Sequence, residues 1–278
     1  MKLVTKIFLT AVALSSHFAN AAVVRNDVPS CSADISSEYY QLPSERELVI
    51  LIDKTMAHSL AQDIKSELYK SLTRFIQPGD KVQLVEFSSF AQDSYTKVVF
   101  KGQLDAPLSQ DNRNYIKKSA LKAFDKCLDK QHKFMISKVG IGLKGAFEPQ
   151  DKPTNTELIG TLSDISNQVL GNSDAKRKVV LLISDMLENS DITSFYKNNR
   201  TRVIDAQSEI QKVSSAQMFA NFNAADVYVV GTGVIPSSNQ YVSAQKMNHL
   251  ESFWKSYFEQ SNARLLGFGK PMLLSDIR

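Results

Sequence analysis

Short apolar runs alternate along this chain with segments whose apolar residues recur every three or four positions. The first run, Leu48 to Ile52, stops at Asp53, after which Leu60, Ile64, Leu68, Leu72 and Phe75 share one face of a helix predicted over 59–75. "KVQLVEF" at 81–87 and "YTKVVFKG" at 95–102 read as strands, the first preceded by a "PGD" turn at 78–80. The link between these two strands is short and polar. It predicts an antiparallel pair, because a parallel crossover needs about a dozen residues or more.

Residues 109–147 depart from the rhythm and predict a basic helix followed by a Gly-containing apolar tail, an insertion that packs on the main sheet. The rhythm then resumes. A helix over 156–170 turns Leu158, Leu162, Ile165 and Val169 inward, and "KVVLLISD" at 178–185 is apolar almost throughout, as expected of a strand buried on both faces. A helix from about Arg202 to Phe219, a strand at 225–233, an amphipathic helix beginning at Ala244 and a last strand, "ARLLGF", follow. In that last helix Trp254, Phe253, Tyr257 and Phe258 have the spacing of core residues. Alternating strands and helices of this kind predict an α/β fold: a doubly wound, mostly parallel sheet with one antiparallel edge strand.

The two ends of the chain differ from this body. "MKLVTK", then "IFLTAVAL", then "SSHFANA" gives the order charged, apolar, small-x-small of a signal peptide, with cleavage expected near Ala21. The apolar stretch is shorter than the roughly 20 residues a span requires. Residues 22–45 are polar and contain Pro29 and Pro43, an extended arm before the domain expected at 46–278. Export to the periplasm or beyond is the expectation, with no membrane span in the mature chain.

The 278 residues carry 33 Lys and Arg against 29 Asp and Glu, and Lys2 and Lys6 leave with the signal, so the excess is small. There is no arginine-rich run interleaved with aromatics, and nucleic acid is not an expected partner. The two cysteines, Cys31 and Cys127, are an even count in an oxidising compartment. A bridge between them is expected.

In doubly wound sheets ligands sit at the carboxyl ends of the central strands, near a switch in strand order. Two strands end in acids, Asp53 in "LIDKT" and Asp185 in "LISDM", and "KPTNTEL" puts Thr154 and Thr156 at a helix entrance. Carboxylates and hydroxyls converging on one edge make a hard-oxygen site of the kind magnesium prefers. The plainer readings are that the acids accept backbone N–H groups in their own loops and that a threonine caps the helix. His58, His132 and His249 have no metal-ligand spacing, and His58 reads as a solvated surface residue near the site. No G-x-S-x-G elbow and no phosphate-binding glycine loop occur, and "GTG" at 231–233 reads as a strand-end turn.

The order of elements and the residues Asp53, Thr55, Thr154 and Asp185 resemble a von Willebrand factor A domain over roughly residues 46–268. That family holds a metal ion with D-x-S-x-S after the first strand, a threonine from a second loop and an aspartate from a third. Here "DKTMA" keeps the acid and a first hydroxyl, Thr for Ser, but has Ala57 where the second serine is expected. The third loop reads "SDM" rather than the more frequent Asp-Gly. Lys54 adds a positive charge beside the first acid. The resemblance implies a protein-binding module of a bacterial envelope or secretion assembly, gripping a protein partner at the carboxyl edge of its sheet, with Mg2+ where the site is competent. The alternative is a metal-dependent phosphoester hydrolase using Asp53 and Asp185. "DKT" also resembles the haloacid dehalogenase phosphatases, but Thr55 stands where their second aspartate, the general acid, belongs.

Overall fold

The computed structural model describes residues 25–88, 95–149, 157–198, 200–235 and 240–278. Strand β1 (Arg46–Asp53) leads through a 3-10 turn at Ala57–Ser59 to α1 (Gln62–Phe75), then to β2 (Lys81–Ser88) and β3 (Tyr95–Gln103). Next come α2 (Gln110–Arg113), α3 (Lys118–Ala146) and α4 (Leu158–Ile165), the last prolonged by one π turn at Ser166–Leu170. Strand β4 (Arg177–Ile183), a small hairpin of β5 (Tyr196–Lys197) and β6 (Arg200–Thr201), and α5 (Ala206–Ser215) follow. The chain then makes β7 (Ala225–Val230), a second hairpin of β8 (Val234–Ile235) and β9 (Gln240–Tyr241), α6 (Ala244–Gln260) and β10 (Ala263–Phe268).

Six strands form the main sheet in the order β10-β7-β4-β1-β2-β3. Every neighbouring pair is parallel except β2 with β3, which is antiparallel, as the short connection between them predicts. The fold class is therefore the α/β sheet with one antiparallel edge expected from the sequence. Successive connections run outward in opposite directions from β1 and β4. The switch in strand order therefore falls between the carboxyl ends of these two strands, where the helices that follow them lie on opposite faces.

Period-two alternation assigns each face. In β1, Leu48, Ile50 and Ile52 pack with Ile64, Leu68 and Leu72 of α1 and with Met135, Val139 and Leu143 of α3. Val49 and Leu51 face the other way, toward Leu158 and Leu162 of α4 and the aromatic cluster of α6. Trp254, Phe253, Tyr257 and Phe258 are fully buried there, in the core role their spacing predicts.

Two elements differ in extent from their sequence pattern. The helix in 109–147 does not end in an apolar tail: α3 runs unbroken for 29 residues through Gly140, Gly142 and Gly145. Packing explains this, since Gly142 lies against Leu84 and an added Cβ there would meet its Cδ1 at 3.0 Å. The following helix on the other side of β4 starts at Ala206 rather than Arg202, because the β5–β6 hairpin occupies residues up to Thr201 and the Asp205 carboxylate caps the Ser208 N–H at 2.7 Å.

The described part of the arm lies along the free edge of β3. The Asp27 N–H donates to the Lys101 carbonyl at 2.8 Å, the Gln103 N–H donates to Asn26 Oδ1 at 3.1 Å, and Arg25 donates to the Val98 carbonyl at 3.1 Å. An edge strand left bare invites pairing with another chain, and this cover removes the invitation. Cys31 is bridged to Cys127 of α3 across a sequence separation of 96. Closing a loop of that length stabilises by on the order of 4–5 kcal/mol on the chain-entropy model.

Candidate functional site

Asp53 is the last residue of β1 and is wholly buried. Its Oδ1 accepts from the Thr55 backbone N–H at 3.0 Å and from the Thr55 hydroxyl at 2.5 Å, while Oδ2 accepts from the Ser184 hydroxyl at 3.0 Å. The Asp53–Thr55 contact is an Asx-type turn that bends the chain out of the strand. Asp185, on the loop after β4, is 3% exposed, and its Oδ1 accepts the Leu187 N–H at 2.9 Å. Thus both acids carry the loop-capping bonds of the plainer reading, and Ser184 bonds the one acid directly while adjoining the other in sequence.

The electrostatics are adverse for two free carboxylates. Burial pushes the Asp53 carboxyl up to about 6, against the lowering effect of its bonds from Thr55 and Ser184. Asp185 is raised well above the usual carboxylate range, first by burial and then by the charge of Asp53. The field of the pair extends outward: after burial, Asp185 and then Asp53 raise the Tyr196 phenol. Among the described residues neither acid forms an ion pair with a lysine or arginine. Lys54 does not supply one, because its Nζ donates to the carbonyls of Gly145 and Ala146 at 3.0 Å each and of Glu148 at 3.4 Å. It closes the C-terminal end of α3, where orphan carbonyls favour a cation.

A third buried acid, Glu188, serves the next helix. Its Oε2 accepts the Ile159 N–H at 2.9 Å at the start of α4, and its Oε1 has no partner among the described residues. Burial pushes this carboxyl up to about 7. The third loop is further constrained by Met186, which adopts φ 61°, a left-handed conformation natural to glycine and rare for a side chain of this size. Its carbonyl accepts the Trp254 indole N–H at 2.9 Å, and the Gly233 N–H donates to the Asp185 carbonyl at 2.8 Å. Core packing and a strand-end turn therefore hold "SDM" in the shape that an Asp-Gly would take without strain.

Of the residues singled out in the sequence, Asp53, Thr55 and Asp185 come together at the carboxyl ends of β1 and β4. Thr154 and Thr156 lie outside the described residues. Ala57 and Met56 are buried in the core, and the Ser59 hydroxyl lies 3.1 Å from His58 Nε2. His58 is not solvated as expected: it is half-buried, and burial followed by the charges of Lys65 and Lys54 lowers its pKa. Ser184, Tyr196 and Glu188 were not foreseen. Only Ser184 left a trace, as the polar residue that ends the apolar run of β4.

As a donor set, two carboxylates and two hydroxyls suit a hard divalent cation, whose charge would offset the burial that raises both acids and the Asp53 charge that further raises Asp185. No group of three or more His, Cys, Asp or Glu side chains comes together to hold a metal among the described residues. An ion here would rest on two acids, hydroxyls and its own water.

No family model matches the chain, and no curated protein matches it. Among solved structures it is similar to an aerotolerance-related membrane protein from Bacteroides fragilis, at 13% identity over 82% of this chain and 92% of that one, with a TM-score of 0.36. It is also similar to a pilus adhesin from Lactobacillus rhamnosus GG at 11% identity, TM-score 0.38, over 77% of this chain and 27% of that one. A third is the vWF domain of a type V pili tip protein from Porphyromonas gingivalis, at 16% identity, TM-score 0.29, over 73% of this chain and 58% of that one. The fold class itself rests on the order and direction of the six strands.

Proposed function

We propose that this chain is an exported binding module of the von Willebrand A type, which grips a protein partner at the carboxyl edge of its sheet within a bacterial envelope or secretion assembly. Asp53, Thr55 and Asp185, with Thr154, are the residues proposed to hold Mg2+. When bound, the ion would offer a coordination position to a carboxylate of the partner. The observation that carries the reading is the pair of buried acids at the β1/β4 switch point, both raised in pKa and neither matched by a cationic side chain among the described residues. The chain's own residues would orient the site: Thr55 and Ser184 fix the rotamer of Asp53, and the Leu187 N–H fixes that of Asp185.

Export, with signal cleavage near Ala21, is part of the same proposal and is supported by the Cys31–Cys127 bridge. Asp53 has no exposed surface, and both its oxygens already accept hydrogen bonds. That rules out Asp53 as the group that attacks phosphorus; a hydrolase here would use the two acids as metal ligands, and binding is the reading adopted. The test is crosslinking in intact envelopes followed by recovery of the chain. A specific crosslinked protein that appears with Mg2+ and is lost with both chelator and Asp53→Asn supports the reading. A partner retained by Asp53→Asn would move the contact to another face, and turnover of a phosphoester abolished by the same variant would restore the hydrolase.

A further inference from the structure

The outer face of α3 carries a charge pattern that the carboxyl-edge site does not use. The helix contains seven lysines and two aspartates and no arginine, and Asp125 is taken up by Arg113 through bonds of 2.9 and 2.7 Å. At 100° per residue, Lys118, Lys122, Lys126, Lys130, Lys133 and Lys144 fall within an arc of about 120° and span about 39 Å of helix. All six are exposed, and they lie opposite the buried stripe of Phe124, Leu128, Met135 and Val139. The ion pairs that lysines form among the described residues involve other positions.

A solvated helix face usually mixes signs, so that residues four apart attract. Here Lys118, Lys122, Lys126 and Lys130 succeed one another at that spacing and repel, and the exposed Asp129, which falls within the same arc, is the one acid set against the six lysines. Toward the C-terminal half of α3 the stripe borders a shallow cleft of about 500 Å³ against α1, lined by Tyr69, Lys133, Ile136, Ser137, Ile141 and Lys144 among others, with no acidic side chain. Ile141 is 65% exposed there. Ammonium groups and hydroxyls beside an exposed apolar side chain match the boundary between phosphate headgroups and acyl chains.

We propose that this face of α3 is a docking surface for an anionic phospholipid membrane. A 29-residue helix held on a sheet is a rigid ridge, suited to a flat surface. Lysines act on headgroups as flexible point charges, whereas paired recognition of nucleic-acid phosphates and bases favours arginine. The bridge through Cys127 of the same helix belongs to an oxidising compartment, where lipid rather than nucleic acid is the abundant polyanion. The surface is independent of the metal reading and stands or falls without it.

The experiment is co-sedimentation of the full chain, with chelator present, on phosphatidylcholine vesicles with and without phosphatidylglycerol, at low and high salt. The variant is Lys122→Gln/Lys126→Gln/Lys133→Gln. Whatever residues 1–21 contribute is common to both proteins, so the salt-sensitive part of binding is the readout. Each lysine near an anionic surface contributes about fivefold, and the triple variant should lose about a hundredfold of partitioning, with its thermal midpoint unchanged because all three side chains are exposed. Equal salt-sensitive binding by the variant, or no preference for phosphatidylglycerol, overturns the proposal. Displacement from the vesicles by stoichiometric duplex DNA would assign the stripe to nucleic acid instead.

Discussion

At the amino end of the sheet, Asp80 accepts from Arg46 Nε at 2.8 Å and Nη2 at 2.6 Å, and from the Gln77 N–H at 2.7 Å. Asp226 is shared by Arg177 at 3.2 Å and Arg264 at 2.5 Å, and Glu47 accepts from Gln83 and Ser173. At the carboxyl end, Asp53, Asp185 and Glu188 are as deeply buried, yet they accept only from hydroxyls and backbone N–H groups among the described residues. The one cation in the first loop, Lys54, is spent on the end of α3. Arginines thus neutralise Asp80 and Asp226 at the amino end, where Glu47 and Asp105 accept from amide, hydroxyl and backbone donors, whereas at the carboxyl end none of Asp53, Asp185 and Glu188 has a cationic partner among the described residues. Buried charge without a counter-charge is costly, so its concentration at a switch point marks function rather than stability.

The largest effect should come from breaking the compensated end. Arg46→Met leaves Asp80 buried at 6% side-chain exposure without its bidentate partner, and urea unfolding should show a loss of about 3–5 kcal/mol. A loss below about 1 kcal/mol would mean that the Gln77 N–H suffices, and the contrast between the two ends would blur.

Next in size is a pH effect at the uncompensated end. Glu188 titrates near 4.5 when unfolded and about 7 when folded. The folded state therefore holds its proton more tightly, and the stabilisation is complete below pH 4.5 and fades as pH rises through about 7. Relative to Glu188→Gln, which can still accept the Ile159 N–H, the wild type should lose on the order of 3 kcal/mol across that window. Parallel stability–pH curves for the two proteins would show that Glu188 has a counter-charge after all.

The smallest of these effects should follow Lys54→Met, which removes the bonds to the last carbonyls of α3. About 2 kcal/mol of stability should be lost, with divalent-ion affinity unchanged because this ammonium is turned away from Asp53. A large rise in affinity would show instead that Lys54 opposes the ion.

The sheet was legible because its strands announce themselves one by one. Continuous apolar runs at Leu48–Ile52 and Val179–Ile183 require burial on both faces, and the short β2–β3 link leaves only an antiparallel pair. Boundaries were less legible where tertiary contacts override local pattern, as at Gly142 of α3, which reads as a breaker but allows close approach to Leu84. At the site, the acids Asp53 and Asp185 were visible as abrupt ends of apolar runs. The orientation of Lys54 was not, because its partners lie 91 to 94 residues away. Nor was the role of Glu188, whose partner, the Ile159 N–H, belongs to a helix on another segment.

The central claim is that a divalent cation neutralises Asp53 and Asp185 at the carboxyl end as arginines neutralise Asp80 and Asp226 at the amino end. Calorimetric titration of the metal-free protein with Mg2+ and with Mn2+, beside Asp53→Asn, tests it most directly. Saturable binding by the wild type that vanishes in the variant is the predicted result. No binding of either ion to the wild type, or equal binding by the variant, would contradict the account.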